Sequence, residues 1–249
     1  MGPSLPMAEM LASRLGRPVH WTATTGSTND DARRLAEAGA PSGTLVVADA
    51  QAAGRGRLGR AWYSPPGQNL YLSLVLRPGT RPEDTPLLCL AAGLGVAEAL
   101  DLRVKWPNDV VDSSDRKVAG LLAEAEIQGL SVRYVVVGVG INVNQPSFPP
   151  EIPTAASLAM IRGSALDRWE ILARVVPAME ARLTQVEDRR ETVLAQWRQR
   201  SATLGRRVRA GGREGLALGL REDGALLLGL DGGAVEAILA GDVEPAPLR

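Results

Sequence analysis

Cysteine, histidine and lysine are nearly missing from this 249-residue chain. A single cysteine, Cys89, excludes an internal disulfide, and with His20 as the one histidine no Cys/His zinc site can form. Aromatic residues make up only 4% and are not clustered, which argues against a base-stacking platform for RNA. An excess of one charge is also absent. Lys+Arg and Asp+Glu are 28 each, so the chain as a whole draws neither a polyanion nor an anionic membrane surface. The longest apolar run lies within Pro86–Ala97 and is too short to cross a bilayer. MGPSLPMAEM, at the N-terminus, has no basic region followed by an apolar core, so no signal peptide is expected. Together these absences point to a soluble cytoplasmic protein without a membrane partner.

What remains is ordinary globular composition, 45% hydrophobic and 22% charged, in a chain long enough for one large domain with or without a small one. Of the 28 basic residues only Lys105 and Lys117 are lysines. Where any solvated cation would do, arginine stands. The two lysines therefore mark places that want a compact ammonium and not a planar fork.

Local patterns predict a mixed α/β region to about residue 202. Ser27 and Asp30 fit a capping box opening a helix to Ala38, with Thr28 as the other candidate cap. Strands are expected at 44–50, 69–76, 102–106, 117–126 and 132–141, with a turn at 129–130. A helix apolar almost all round, hence central, is expected over Glu83–Leu100, and a second helical block over 167–200. From 203 to 249 short apolar runs alternate with GlyGly, AspGly and AspGlyGly turns, the pattern of about five strands in a small barrel.

Three stretches carry residues suited to chemistry. GRGRLGR (54–60) sets three arginines among glycines whose bare backbone can approach an anion, phosphate above all, although a solvated or RNA-touching loop would read the same way. KWPND (105–109) presents a cation, an amide and a carboxylate at a corner after Pro107, a set able to take phosphate with Mg²⁺ or simply to cap its own turn. RKVAGLLAEA (116–125) puts Lys117 on a strand with Gly120, where a ligand or another backbone comes close; an edge-strand lysine is the alternative. Asn142 in VVVGVGINVN is either an amide for a base edge or a strand end. Cys89, in LLCLAAG, reads as a small buried apolar residue, and His20 has no triad partners.

GSTND (26–30), ADAQAAGRGRLGRAWYSPPGQNLYLSL (48–74), VKWPNDVV (104–111), RKVAGLLAE (116–124), GVGINVN (138–144) and AGDV (240–243) together resemble the biotin–protein ligases, in that family's order and over roughly residues 20–249. The resemblance implies an α/β (α+β) fold: a mixed sheet with flanking helices, related to class II aminoacyl-tRNA synthetases, over 1–202, and a small SH3-like β-barrel over 203–249. It implies a ligase that uses biotin, ATP and Mg²⁺, makes biotinyl-5′-AMP, and transfers biotin to a lysine of the biotin carboxyl carrier domain of acetyl-CoA carboxylase or a related enzyme. On the matching positions, Ser27, Thr28, Asn29 and Gln51 would surround the biotin rings. Gly54 to Arg60 would fold over the adenylate, with Arg55, Gly56 and Arg57 at the biotin end and Arg57 and Arg60 on phosphates. Lys117 would stand between the biotin carboxylate and the α-phosphate. Lys105, Asn108 and Asp109 would serve the nucleotide and its Mg²⁺, Asn142 the adenine, and Trp62 a stacking wall; Gly120 is included for close approach. Lys117, Arg57 and Asp109 are the catalytic candidates. Only 25 residues precede GSTND, so the DNA-binding repressor domain of some relatives is not expected, nor a DNA partner. The candidate for a C-terminal arginine that reaches the nucleotide is Arg249. Lipoate- or octanoate-handling enzymes on the same fold are the nearest rivals, separated by whether the acid pocket offers partners to a ureido ring. Monomer and homodimer both remain open.

Overall fold

A computed structural model describes residues 17–246. The expectations placed on MGPSLPMAEM and on Arg249 lie outside the described residues.

The described residues open with β1 (Val19–Thr25), cross through α1 (Thr28–Glu37) and return as β2 (Leu45–Gln51), parallel to β1. β1 had no signal in the apolar pattern because it is an edge strand whose residues are mostly part-exposed. β3 (Leu70–Leu76), β4 (Arg103–Lys105), β5 (Asp109–Val111), β6 (Lys117–Gln128) and β7 (Ser131–Ile141) complete a seven-stranded mixed sheet in the order β1-β2-β3-β7-β6-β5-β4. The helix expected from Glu83 begins as a 3₁₀ turn over Pro82–Asp84 and becomes α2 at Thr85–Leu100. The expected helical block is interrupted. After a short α3 (Leu158–Arg162) come α4 (Arg168–Leu183), α5 (Gln185–Asp188) and α6 (Arg190–Gln199), with the backbone leaving helical space at Arg189 (φ −134°, ψ 39°).

β7 shows how the sheet divides its two faces. Val135, Val137, Val139 and Ile141 point into the main core with Leu70, Leu72 and Leu74 of β3 and the buried face of α2. Their alternates Tyr134 and Val136 pack with Ala32 and Ala36 of α1. The next two residues on that second face are Gly138 and Gly140. Asn29 at the start of α1 lies against Gly138, and there, where the strand carries no side chains, a cavity begins.

The second sheet is antiparallel, in the order β11-β10-β9-β8-β12, from β8 (Arg207–Ala210), β9 (Arg213–Leu220), β10 (Leu226–Gly229), β11 (Val235–Ile238) and β12 (Val243–Pro245). This matches the small all-β unit expected from the turn spacing. Both sheets feed one apolar cluster, and Trp106 joins them: it is buried, its backbone N–H donates to Thr203 Oγ1 (2.9 Å) and its indole N–H to the Gly224 carbonyl (3.0 Å). Among the described residues no helix is long and apolar enough to cross a membrane.

Candidate active site

A cavity of about 530 Å³ lies on the uncovered face of the first sheet, between loop 54–62, the β4–β7 strands, segment 148–155 and residues 242–245, at β12 of the second sheet. This is the volume range of sites for small molecules and cofactors. Every site residue expected from sequence lines it except Gly54. Gly54 sits behind the wall, where a side chain would strike Ser64 Oγ, the Trp62 carbonyl and Gln51 Nε2. Its small size is required by the protein's own packing.

One wall is built from strands. In β5–β6 the pairing jumps from Val110↔Ala119 to Val111↔Lys117, so Val118 is a bulge. Strict alternation would send Lys117 and Gly120 to opposite faces; the bulge re-aims Lys117 so that a Cβ on Gly120 would lie 3.1 Å from its Nζ. β6 runs between β7 and β5, which excludes the edge-strand alternative for Lys117. The ammonium pairs with Asp109 at 2.6 Å and sits 5.3 Å from the centre of the Trp62 ring. What lies against Gly120 is that indole and the Lys117 side chain, and the indole also covers Gly140. A side chain at either glycine would collide with it. Behind Lys117, its N–H donates to the Thr154 carbonyl (2.7 Å) and its carbonyl accepts from Ala156 N–H (2.9 Å), so the 148–155 segment is tied to this wall. Asn142 donates to the Ala156 carbonyl (3.1 Å), and Asn108 donates to the Leu121 carbonyl (2.6 Å).

The floor is neutral and polar. Ser27 occupies the N-cap position of α1 but its side chain makes no capping bond, contrary to the expected capping box, and it lines the cavity. Gln51 Oε1 accepts from the Thr28 N–H (2.9 Å) and hydroxyl (3.1 Å), while Gln51 Nε2 donates to Ser64 Oγ (3.0 Å). The Ser73 hydroxyl lies 2.8 Å from Thr28 Oγ1 and 2.6 Å from Asn29 Oδ1. Asn29 then donates to Glu124 (2.6 Å). These buried groups are fixed by one another before any ligand arrives.

The other wall is loop 54–60, and its arginines diverge. Arg55 reaches the Asp30 carboxylate with both nitrogens (2.6 and 2.8 Å), which holds Asp30 below the usual carboxylate range and Arg55 above its own. Arg57 turns the opposite way, donating to Asn108 Oδ1 and to the Gly241 carbonyl, both at 3.2 Å. Burial lowers its pKa, so it is a cation partly stripped of water inside the cavity, which raises its worth to an incoming anion. Arg60 pairs with Asp242, the residue before β12. Between them Leu58 stands exposed with φ +56°, outside the pattern expected of a loop built on glycine freedom.

Sequence reasoning did not single out Ser73, Glu124, Phe148, the 151–155 segment or Asp242. The Pro-rich run FPPEIP (148–153) and the acid in AGDV were the available signals. Cys89, expected as a small buried residue, is half-buried and does not line the cavity; the burial it has pushes its thiol up to about 12. Exposed His20 is also outside it. Among the described residues no three His, Cys, Asp or Glu side chains gather into a metal cage. Of the carboxylates that line the cavity (Asp109, Glu151, Asp242 and Glu244), Asp109 is the one with the Asn108 amide beside it, and it is paired with Lys117.

Residues 16–142 match the family described as the Biotin/lipoate A/B protein ligase family. The chain is 37% identical to the biotin–[acetyl-CoA-carboxylase] ligase of Mycobacterium tuberculosis, over 91% of this chain and 88% of that one. It is 35% identical to the bifunctional ligase/repressor BirA of Bacillus subtilis, over 92% of this chain and 74% of that one. Its fold superposes with TM-score 0.76 on the biotin protein ligase from Aquifex aeolicus in complex with biotin and ATP, at 35% identity, covering 91% of this chain and 97% of that one.

Proposed function

Because the chain belongs to the biotin/lipoate A/B protein ligase family and is a ligase, we propose that it activates biotin with ATP as biotinyl-5′-AMP and transfers it to a lysine of a biotin carboxyl carrier domain, that of acetyl-CoA carboxylase or a related enzyme. The observation that carries this reading is the composition of one cavity. A neutral floor of hydroxyls and amides (Thr28, Asn29, Gln51) adjoins Lys117, with Arg57 and Arg60 on the wall facing the second sheet. A ureido ring asks for the first, a carboxylate meeting a phosphate for the second, and a triphosphate for the third.

In the first step a biotin carboxylate oxygen bonds to the α-phosphorus while the bond to the bridging oxygen of the β-phosphate breaks and pyrophosphate leaves. In the second, the neutral amine of the acceptor lysine bonds to the acyl carbon, the acyl–oxygen bond breaks, AMP departs, and the amine proton is lost to solvent. Neither step requires a protein nucleophile; both require positioning and stabilisation of charge at phosphorus. Lys117 serves the carboxylate and α-phosphate, Arg57 the phosphates, and Asp109 holds Lys117 until the anions compete for it. Ser27, Thr28, Asn29 and Gln51 take the biotin end, Asn142 the adenine, and Trp62 the nucleotide. Lys105 and Asn108 assist the phosphates. A Mg²⁺ ion fits a site with one protein carboxylate, because this ion commonly binds through substrate phosphates and water. Asp109 and Asn108 would hold it, and it would supply charge neutralisation on the phosphates. Division of the chain at 202/203 into a catalytic and a small β-domain, and a cytoplasmic location where ATP is at hand, belong to the same proposal.

ATP–pyrophosphate exchange by the purified protein, with biotin and with lipoate as the acid, tests it. Exchange that requires biotin and ignores lipoate is the expected result. Exchange with lipoate alone would keep the chemistry and overturn the substrate.

A further inference from the structure

Behind two lining residues of the cavity, Arg55 and Asn29, stands a charge arrangement that the ligase chemistry does not itself require. Arg55 is the first arginine of the site loop, and both of its terminal nitrogens rest on Asp30, in the first turn of α1. One of them also lies 3.4 Å from each oxygen of Glu124 on β6. Glu124 in turn accepts from Arg33 (3.0 Å) and from the Asn29 amide (2.6 Å). Asn29 is wedged against Gly138, where any side chain would overlap its amide oxygen. Two carboxylates on two different elements thus clamp one loop arginine and one floor amide together.

We infer that Asp30 and Glu124 are positioning residues: Asp30 holds Arg55, and with it loop 54–60, over the acid-binding end of the cavity, while Glu124 fixes the Asn29 amide that faces the same ligand. This rests on the reading of the cavity as an acid-activating site. Three facts favour it. The Arg55–Asp30 contact is a bidentate fork, the geometry that best repays the cost of ordering two side chains. Its members come from a loop and a rigid helix, so the bond restrains the loop relative to the fold rather than a helix against itself. And Arg57 and Arg60, on the same loop, are held at the opposite side by Asn108 and Asp242, so Asp30 anchors one of two ends. Asp30 and Arg55 are both partly exposed, so the effect of one pair is modest and sensitive to salt.

The test uses trypsin, which cuts after arginine and so reads this loop whether or not any acid is activated. In Asp30→Asn, cleavage after Arg55, Arg57 and Arg60, mapped by mass spectrometry, is expected to rise by up to about fivefold at low salt, the upper end of the range for an exposed pair. Cleavage at other sites should stay unchanged. Asp30→Glu should restore much of the protection, and ~1 M salt should erase the difference between Asp30→Asn and the unaltered protein. In biotin-dependent exchange, Asp30→Asn and Glu124→Gln should raise the KM for biotin by a similar factor and change kcat less. Unchanged loop cleavage in Asp30→Asn would overturn the anchor, even if biotin is the substrate. Faster cleavage with an unchanged KM for the activated acid would overturn its coupling to the acid site. If the unaltered protein shows no exchange with biotin, the ligase reading fails while the cleavage data still decide the anchor.

Discussion

The two walls of the cavity are built on different physics. The strand wall places Asp109 and Lys117 through a ladder, a bulge and their own ion pair, with Asn108 and Asn142 at the strand ends fixed by bonds to backbone carbonyls and with glycines that leave room for nothing else. The loop wall places Arg55 and Arg60 mainly through ion pairs to Asp30 and Asp242, and Arg57 through an amide and a carbonyl. A ladder is local, buried and indifferent to salt; an exposed pair is worth little alone and fades with ionic strength. The difference suggests a division of labour. On the proposed reading, the groups that would meet the reacting atoms are fixed by the sheet, and those of the loop by exposed contacts sensitive to salt.

The largest effect should come from the strand wall. Lys117→Ala is expected to lower adenylation by about two orders of magnitude or more, as removal of one preorganised donor to a developing charge does. Lys117→Arg should fail to restore it, because a planar fork does not fit the space of an ammonium between Asp109 and Trp62. Pyrophosphate exchange measures both, and near-normal exchange in Lys117→Ala would collapse the distinction between the walls. Next comes Gly140→Ala, which drives a methyl into the Trp62 indole. Overpacking of this kind costs ~1–3 kcal/mol, read as a lower urea midpoint at unchanged m-value.

Smaller again is the loop wall. Asp242→Asn removes the carboxylate that meets Arg60 and lies 3.9 Å from Arg57, and should raise the KM for ATP severalfold at low salt and less at high salt. An effect indifferent to salt would mean that the loop is fixed by shape and not by charge. Acid should do least. Asp30 titrates below its usual range because Arg55 bonds its charged form, so the pair's contribution is complete above the unfolded pKa of ~3.9 and is lost only as pH falls through the lower folded value. Tryptic protection of the loop, trapped by brief pulses, should therefore be the same after incubation at pH 5 as at pH 7.

Legibility followed the range of the interactions. β7 was visible because its valines alternate locally, the second sheet because AspGly and GlyGly mark its turns, and α2 because it is apolar on every side. β1 was not, since an edge strand carries a weak apolar signal, and the helical block after 167 could not reveal the break at Arg189. In the cavity, motif residues were legible because glycine, arginine and lysine are spaced for an anion. Their partners were not: Glu124 is 95 residues from Asn29, and Asp242 is 182 from Arg60. Gly54 and Gly120 were legible as positions of close approach, but not as to what approaches.

The amino-acid sequence by itself determined the family, the order of nearly all elements and the set of side chains available for chemistry, because these depend on residue type and short-range period. Only the tertiary structure decided which way Lys117 points, which carboxylate each loop arginine meets, and that Trp106 ties the two sheets together. A bulge reverses a strand's alternation without changing its composition, and an ion pair between distant elements exists only once the fold has brought them together.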